Sequence, residues 1–66
     1  MQFPDNLRRA MLENNISQAK LAEKLNTTQA TISRWVKGVN EPDLESLFLI
    51  CKILDRTPDE LLGFED

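Results

Sequence analysis

The stretch SQAKLAEKLNTTQATISRWVKG, residues 17–38, decides the fold of this chain. Ser17 is a good helix N-cap because its hydroxyl can accept a hydrogen bond from an amide of the first turn. An apolar face at helical spacing begins at Leu21, and Asn26, which tolerates the left-handed conformation, stands where this helix must end. Thr28 can then cap a second helix. The stretch therefore predicts two short amphipathic helices joined by a tight polar turn.

The second helix has two chemically different faces. Its inward face is apolar, with Ile32, Trp35 and Val36. Its outward face carries Gln29, Ala30, Ser33, Arg34 and Lys37. A glutamine can pair with adenine, an arginine with guanine, and an alanine methyl can contact the thymine methyl. A helix-turn-helix presents such a helix to the major groove of DNA. Any helical hairpin in a small bundle shows the same periodicity, so periodicity alone leaves DNA binding open.

The combined pattern of the chain is more specific than its periodicity. It consists of Gln18-Ala19-x-Leu21-Ala22, Leu25-Asn26-Thr27-Thr28-Gln29, Ile32-Ser33-Arg34-Trp35 and Gly38, followed by Pro42-Asp43-Leu44-x-x-Leu47 and Leu54. These features resemble the lambda-repressor-like, Cro/CI-type (XRE) helix-turn-helix family over nearly the whole chain. The resemblance implies a compact all-α domain of five helices, with the second and third forming the helix-turn-helix. It also implies a sequence-specific DNA-binding transcriptional regulator, a repressor or small phage-type regulator, whose helix near 28–37 enters the major groove.

The resemblance assigns roles to individual side chains. The base-reading residues are Gln29, Ala30, Ser33 and Arg34, and the phosphate-contacting residues are Gln18, Thr27, Thr28, Lys37 and Asn40. For Arg34 a guanine contact is the first assignment and a phosphate contact the competing one. Gln18 and Asn40 also have the alternative of being ordinary solvated residues. Thr28 is needed as a helix cap whether or not DNA binds.

Length and composition set the class of protein. Sixty-six residues predict one domain, 1–66, near the lower limit for a self-supporting core. Cys51 is the single cysteine, so an intramolecular disulfide is excluded and a cytoplasmic location is expected. The chain has no histidine and no cysteine cluster, so we expect no metal, no cofactor and no enzymatic activity. The apolar run Leu47–Cys51 is too short to span a bilayer, and no signal peptide is expected before the domain.

Charge is distributed unevenly along the chain. The net charge is −3, which argues against a general polyanion binder. Residues 17–38 nevertheless carry four cations against Glu23, a balance of +3. Residues 39–66 carry two cations against eight acids, a balance of −6. The predicted DNA-binding segment is therefore a basic island on an acidic protein, and one copy is expected to bind DNA modestly.

Capping residues predict the remaining helices. The first is expected to open at Pro4 or Asp5 and to end at Asn14-Asn15, with Leu7, Ala10 and Met11 facing inward. The fourth is expected from Leu44 to Leu54 after the cap Asp43, with Leu44, Leu47, Ile50, Cys51 and Leu54 on its core side. Thr57-Pro58-Asp59-Glu60 predicts the start of a fifth helix through a capping box, and Gly63 its end.

Two departures from the family pattern concern charge. Many members pair an arginine of the first helix with a glutamate late in the recognition helix, where this chain has Met11 and Val36. An apolar pair can replace a buried ion pair without net loss of stability. The loop after Gly38 is usually basic, whereas here it is Val39-Asn40-Glu41. Asp43 stands at the start of the fourth helix, where some relatives have a cation near the DNA backbone. The changed loop and Asp43 are both expected to weaken DNA affinity.

A third departure concerns the fourth helix, which Phe48, Leu49 and Ile53 make apolar around much of its circumference. Such a helix is either wholly buried or docked on another surface. Docking would serve a homodimer on a palindromic operator, or contact with another protein. The alternative function is thus a protein-interaction module, such as an antitoxin-like partner, that keeps the fold and binds DNA weakly or not at all.

Overall fold

Residues 2–63, the part of the chain that the computed structural model describes, form five α-helices and no strand. The helices are α1 (Phe3–Glu13), α2 (Gln18–Leu25), α3 (Gln29–Lys37), α4 (Leu44–Leu54) and α5 (Pro58–Leu62). The predicted all-α class and helix order are confirmed. The first helix begins at Phe3, earlier than predicted, because the side chain of Phe3 is buried in the core and holds the first turn in place. No described helix is long and apolar enough to cross a membrane.

Side-chain caps begin four of the five helices where the sequence predicts them. Ser17, Thr28, Asp43 and Thr57 each accept a hydrogen bond from the backbone N–H three residues later. At α5 the bond is reciprocal, because Glu60 also accepts from the backbone N–H of Thr57 at 2.8 Å. These bonds satisfy amides that a helix otherwise leaves without partners. They also hold the pKa of Asp43 and of Glu60 below its ordinary value, through the bonds with Ser46 and Thr57.

Left-handed residues end α2, α3, α4 and α5. Asn26 has φ 58° after α2, as the sequence predicts, and Gly38 has φ 78° after α3. Asp55 takes the same conformation after α4, a helix end that the sequence did not mark with glycine or asparagine. This geometry turns the chain sharply, so that short connections bring successive helices back onto one core.

One hydrophobic core joins all five helices. The buried residues are Phe3, Leu7, Ala10, Met11, Leu21, Ala22, Ile32, Trp35, Val36, Ile50, Cys51, Leu54 and Leu61. Among residues 2–63 no polar or charged residue belongs to this buried set. The predicted inward residues of α1, α2 and α3 are confirmed, with Leu25 only partly buried. Helix α4 packs on the core through Ile50, Cys51 and Leu54, as predicted. Helix α5 packs on it through Leu61.

Two asparagines attach α1 to the rest of the domain. The Asn6 side chain donates to the carbonyls of Glu60 and Leu61, each at 3.1 Å. The Asn14 side chain donates to the carbonyl of Leu54 at 3.0 Å. The first helix and its C-cap therefore contact α5 and the C-terminal end of α4.

The burial of α4 differs from the prediction at two positions, Leu44 and Leu47. Leu44 was expected on the core side but is 86% exposed, because it is the first residue of α4 and precedes the turn that reaches the core. Leu47 is only partly buried. Phe48 is 61% exposed and Leu49 is 40% exposed, whereas Ile53 is partly buried against the core. Whole burial of α4 is therefore wrong for this domain.

Candidate nucleic-acid interface

The connection between α2 and α3 is a tight turn that backbone and side-chain hydrogen bonds stabilise. Asn26 adopts the left-handed conformation, and the backbone N–H of Thr27 donates to the carbonyl of Ala22 at 2.9 Å. Thr28 then caps α3 by accepting from the N–H of Thr31 at 3.2 Å. These hydrogen bonds, together with the packing of α2 against α3, hold the angle between the two helices.

Packing fixes the rotation of α3 about its own axis. Ile32 is fully buried, and Trp35 and Val36 are each 6% exposed. These residues pack α3 against both α2 and α1. A side chain on the opposite face must therefore point away from the core, since the three inward positions leave no other rotation.

The outward face of α3 carries the four predicted base-reading residues. Gln29, Ala30 and Arg34 are exposed and Ser33 is partly exposed. Their spacing, one turn apart in two adjacent rows, places the four side chains on one helical face. The structure thus brings together the amide, methyl, hydroxyl and guanidinium groups that the sequence singled out. Such groups can donate to and accept from base edges, and the methyl can contact thymine.

The predicted phosphate-contacting residues lie on α2, on α3 and in the segments that flank α3. Thr27, Lys37 and Asn40 are exposed, at the N-terminal and C-terminal sides of α3. Gln18 is partly buried and is the first residue of α2. The oxygen of Thr28 accepts from the Thr31 amide and lies 3.0 Å from the Thr31 hydroxyl, so it is largely occupied by capping.

The cations of the helix-turn-helix are not equally available. Lys20 forms an ion pair with Glu23 at 3.0 Å, and this contact holds the pKa of the Glu23 carboxyl below its ordinary value. Arg34 and Lys37, in the last turn of α3, make no ion pair within residues 2–63. Lys24 likewise makes no ion pair within residues 2–63, so Lys20 is the one cation of residues 17–38 whose charge is paired there.

Arg8 of α1 contacts the C-terminal end of α3, which the sequence analysis did not anticipate. Its guanidinium donates to the carbonyl of Val36 at 3.2 Å and forms an ion pair with Asp5. A cation at a helix C-terminus interacts favourably with the unpaired carbonyls there. The sequence offered one sign of this contact, because Arg8 lies one turn before the inward-facing Met11, on the side of α1 that packs against α3.

The apolar pair Met11 and Val36 lies beside this contact. Each residue is 6% exposed, and both line an open recess together with Leu12 and Gln18. No charged residue belongs to the buried set of residues 2–63, so the buried part of the contact between α1 and α3 is apolar, and the Arg8 hydrogen bond lies at its edge.

Helix α4 differs from α3 in the side chains that it exposes. Phe48 and Leu49 of α4 are apolar and exposed. Cys51 is buried, and burial, with a smaller effect of the Glu60 charge, raises the pKa of its thiol. A thiol in that state is a poor nucleophile, because the thiolate is the reactive form.

Known proteins are similar to this chain in sequence and in the arrangement of helices. The family described as Helix-turn-helix (HTH_3) matches residues 7–61. The chain is 38% identical over all its 66 residues to the HTH-type transcriptional activator BcrR of Enterococcus faecalis, and covers 32% of that protein. It is 33% identical to the uncharacterized HTH-type transcriptional regulator YqaE of Bacillus subtilis (strain 168), matching 96% of this chain and 54% of that protein.

A solved structure agrees with these sequence matches. The crystal structure of a transcriptional regulator from Listeria innocua superposes with a TM-score of 0.89 and 31% identity, over 98% of this chain and 61% of that one. The chain thus spans between about a third and three fifths of the length of these relatives. On the family match, the relatives and the fold, the chain belongs to the XRE-type helix-turn-helix family of DNA-binding transcription regulators.

Proposed function

We propose that this chain is a sequence-specific DNA-binding domain whose α3 enters the major groove of an operator. One observation carries the proposal: Gln29, Ala30, Ser33 and Arg34 form a solvent-facing set on a helix whose rotation is fixed by a buried opposite face. Direct readout requires such rigidity, because a hydrogen bond to a base edge discriminates only if the donor is held in place.

The proposed contacts divide by chemistry. Arg34 pairs with a guanine and Gln29 with an adenine, while Ala30 and Ser33 fill the space between the helix and neighbouring bases. Gln18, Thr27, Lys37 and Asn40 hold the phosphates on either side, and the Thr28 hydroxyl does so in addition to capping α3. Phosphate contacts set the position of the helix, and base contacts set the sequence.

The charge balance predicts weak binding by a single copy. Lys20 is already paired with Glu23, and Glu41 stands in the loop after α3. Few phosphates are therefore neutralised, which implies a shallow dependence of affinity on salt. Two copies on a palindromic operator, with half-sites about one helical turn apart, would compensate for this weakness.

We propose repression as the mode of action, in the cytoplasm where the operator is found. Repression needs only that the domain occupies a promoter, which the proposed contacts of α3 would provide. The relative named as an activator, BcrR, is about three times as long as the stretch matched here. Its name therefore describes a longer protein.

Selection of binding sequences from a random duplex pool, at low and at near-physiological salt, tests the proposal. Enrichment of one sequence motif that Arg34→Ala abolishes or relaxes at one base is the expected result. Enrichment of no motif at either salt would contradict it. The variant Lys24→Ala serves as a matched control, since it removes a cation of the same segment that is outside the assigned contacts.

A second candidate function is a protein-interaction module that keeps the fold without using DNA. The exposed Phe48 and Leu49 on α4 favour it, together with the acidic balance of residues 39–66. This function predicts that the chain fails to select DNA at low salt, where phosphate contacts are strongest.

A further inference from the structure

The outward face of α4 is apolar at its centre and oppositely charged at its ends. Phe48 is 61% and Leu49 40% exposed, and Glu45 and Lys52 are exposed as well. These four residues follow the spacing i, i+3, i+4, i+7, so they form one row along the helix. We call this row the α4 stripe. It lies opposite the buried residues by which α4 packs on the core.

The α4 stripe is symmetric about its own midpoint. That midpoint falls between Phe48 and Leu49, with Glu45 three and a half residues before it and Lys52 equally far after it. At a rise of about 1.5 Å per residue, each charge lies about 5 Å from the midpoint along the helix. Opposite charges at equal distances are what a self-complementary antiparallel contact needs.

We propose that the α4 stripe is a self-association surface, and that its occupant is the α4 stripe of a second copy in antiparallel orientation. A two-fold axis through the midpoint places Glu45 of each copy opposite Lys52 of the other. The four central side chains, Phe48 and Leu49 of both copies, are then enclosed between two ion pairs. A two-fold contact of this kind uses the same residues on both subunits.

Charge selects this orientation over the parallel one. Parallel copies would place Glu45 opposite Glu45 and Lys52 opposite Lys52, which are repulsive pairs. Lys52 is already held on the stripe, since its ammonium lies 5.5 Å from the centre of the Phe48 ring. In the antiparallel pair that ammonium lies between the ring of its own chain and a carboxylate of the second copy.

The size of the helix limits the affinity. With 11 residues, α4 is only about 16 Å long, so the contact belongs to the small interfaces. Leu44 is one turn from Phe48 and 86% exposed, and it extends the apolar area at one side. We expect a dissociation constant between about 10 μM and 1 mM in the absence of DNA.

Charge reversal tests the antiparallel register. Glu45→Lys and Lys52→Glu each convert both ion pairs into repulsive pairs, and the double variant restores both pairs with the charges exchanged. Sedimentation equilibrium of the 66-residue chain should show that each single variant self-associates about tenfold more weakly than the unmodified chain. The double variant should return to within about threefold of it.

Matched controls separate association from folding. Asp59→Lys and Lys24→Glu make the same charge changes in the first turn of α5 and the last turn of α2, outside the α4 stripe. They should leave self-association unchanged. The double variant places both charges unfavourably relative to the ends of α4, so it should be the least stable of the three stripe variants by thermal unfolding. Recovery of association in the least stable variant cannot result from improved folding.

Three results would overturn the proposal: a chain that stays monomeric at about 1 mM, single variants that associate like the unmodified chain, or a double variant that does not recover. Self-association is measured without DNA, so it can be tested independently of the proposed function. Only the use of the dimer on a two-fold symmetric operator rests on the proposed function. Intact association without selection of any DNA motif would contradict the proposed function alone. Selection of a single half-site by a chain that does not associate would contradict the self-association surface alone.

Discussion

Helices α3 and α4 bury similar inward faces and expose opposite outward ones. Each buries three residues, Ile32, Trp35 and Val36 in α3 and Ile50, Cys51 and Leu54 in α4. The outward face of α3 is polar and cationic, whereas that of α4 centres on Phe48 and Leu49. Both helices begin with a side-chain cap and end with a left-handed residue.

The comparison shows which positions are free to carry function. The inward residues are required for the core, because a domain of this size is only marginally stable. The outward residues do not contribute to core packing, so their chemistry can be adapted to a binding partner. A polar, cationic face suits base edges and phosphates, and an apolar face with charged ends suits another protein surface.

Truncating the inward faces should have the largest effect. Trp35→Ala and Ile50→Ala should lower the free energy of unfolding by about 3–5 and about 2–5 kcal/mol respectively, through lost burial and the cavities left behind. Urea unfolding followed by circular dichroism measures both. If Ile50→Ala cost less than about 1 kcal/mol, α4 would not share the core with α3, and the comparison between the two helices would fail.

A buried charge beneath α3 should come next. Met11→Arg places a cation without a carboxylate partner beside Val36 and should cost about 2–4 kcal/mol of stability. Leu12→Arg is the matched control, because the neighbouring Leu12 is 81% exposed and should change stability by less than about 0.5 kcal/mol. Equal melting temperatures for the two variants would mean that Met11 is not packed under α3. Adding Val36→Glu to Met11→Arg should recover part of the loss by supplying the partner.

Changes on the outward face of α3 should leave folding intact and alter DNA binding. Arg34→Ala should weaken operator binding by about 1–3 kcal/mol and relax specificity at one base. Lys37→Ala should weaken binding to all DNA sequences alike. It should also lower the slope of log affinity against log salt concentration by about one. Titrations of operator and scrambled duplexes at several salt concentrations measure both. An equal loss on every sequence for Arg34→Ala would make Arg34 a phosphate contact.

The two helix caps should show the smallest effects and differ in their response to acid. Thr28→Ala should cost about 1 kcal/mol at any pH, because the hydroxyl that accepts from Thr31 does not titrate. Asp43→Ala should also destabilise the domain at neutral pH. The Asp43 pKa is lowered in the folded protein, so its contribution is complete above the ordinary value of 3.8 and is lost as the pH falls through the lower folded value.

Thermal unfolding between pH 7 and pH 2 measures this difference. The gap between the unmodified chain and Asp43→Ala should close at low pH, while the gap for Thr28→Ala should persist. A gap for Asp43→Ala that is independent of pH would show that the carboxylate charge does not contribute to the cap.

Local signals were read correctly from the sequence because they act over a few residues. Ser17, Thr28, Asp43 and Thr57 cap helices through bonds to residues three positions away, and Asn26 turns the chain by its own backbone conformation. The inward residues of α3 follow from helical periodicity alone. The shared outward face of Gln29, Ala30, Ser33 and Arg34 followed from the same periodicity, while their contacts with DNA stay predictions.

Long-range contacts could not be predicted from the sequence, because they join residues far apart in the chain. Arg8 meets the Val36 carbonyl, and the Asn6 and Asn14 side chains meet carbonyls of α5 and α4. A polar residue on an amphipathic helix gives no sign of whether it faces water or a distant backbone group. The exposure of Leu44 was missed for the same reason, since periodicity does not tell where a helix passes the edge of the core.

The sequence by itself determined the helix order, the caps, the turn between α2 and α3, and the two faces of α3, because each depends on residues within about one turn of each other. Only the tertiary structure decided how α1 is attached, how deeply Met11 and Val36 are buried, and which apolar residues of α4 stay in solvent. Those features depend on which surfaces meet. Burial is a property of the assembled core, and each helix alone leaves it undetermined.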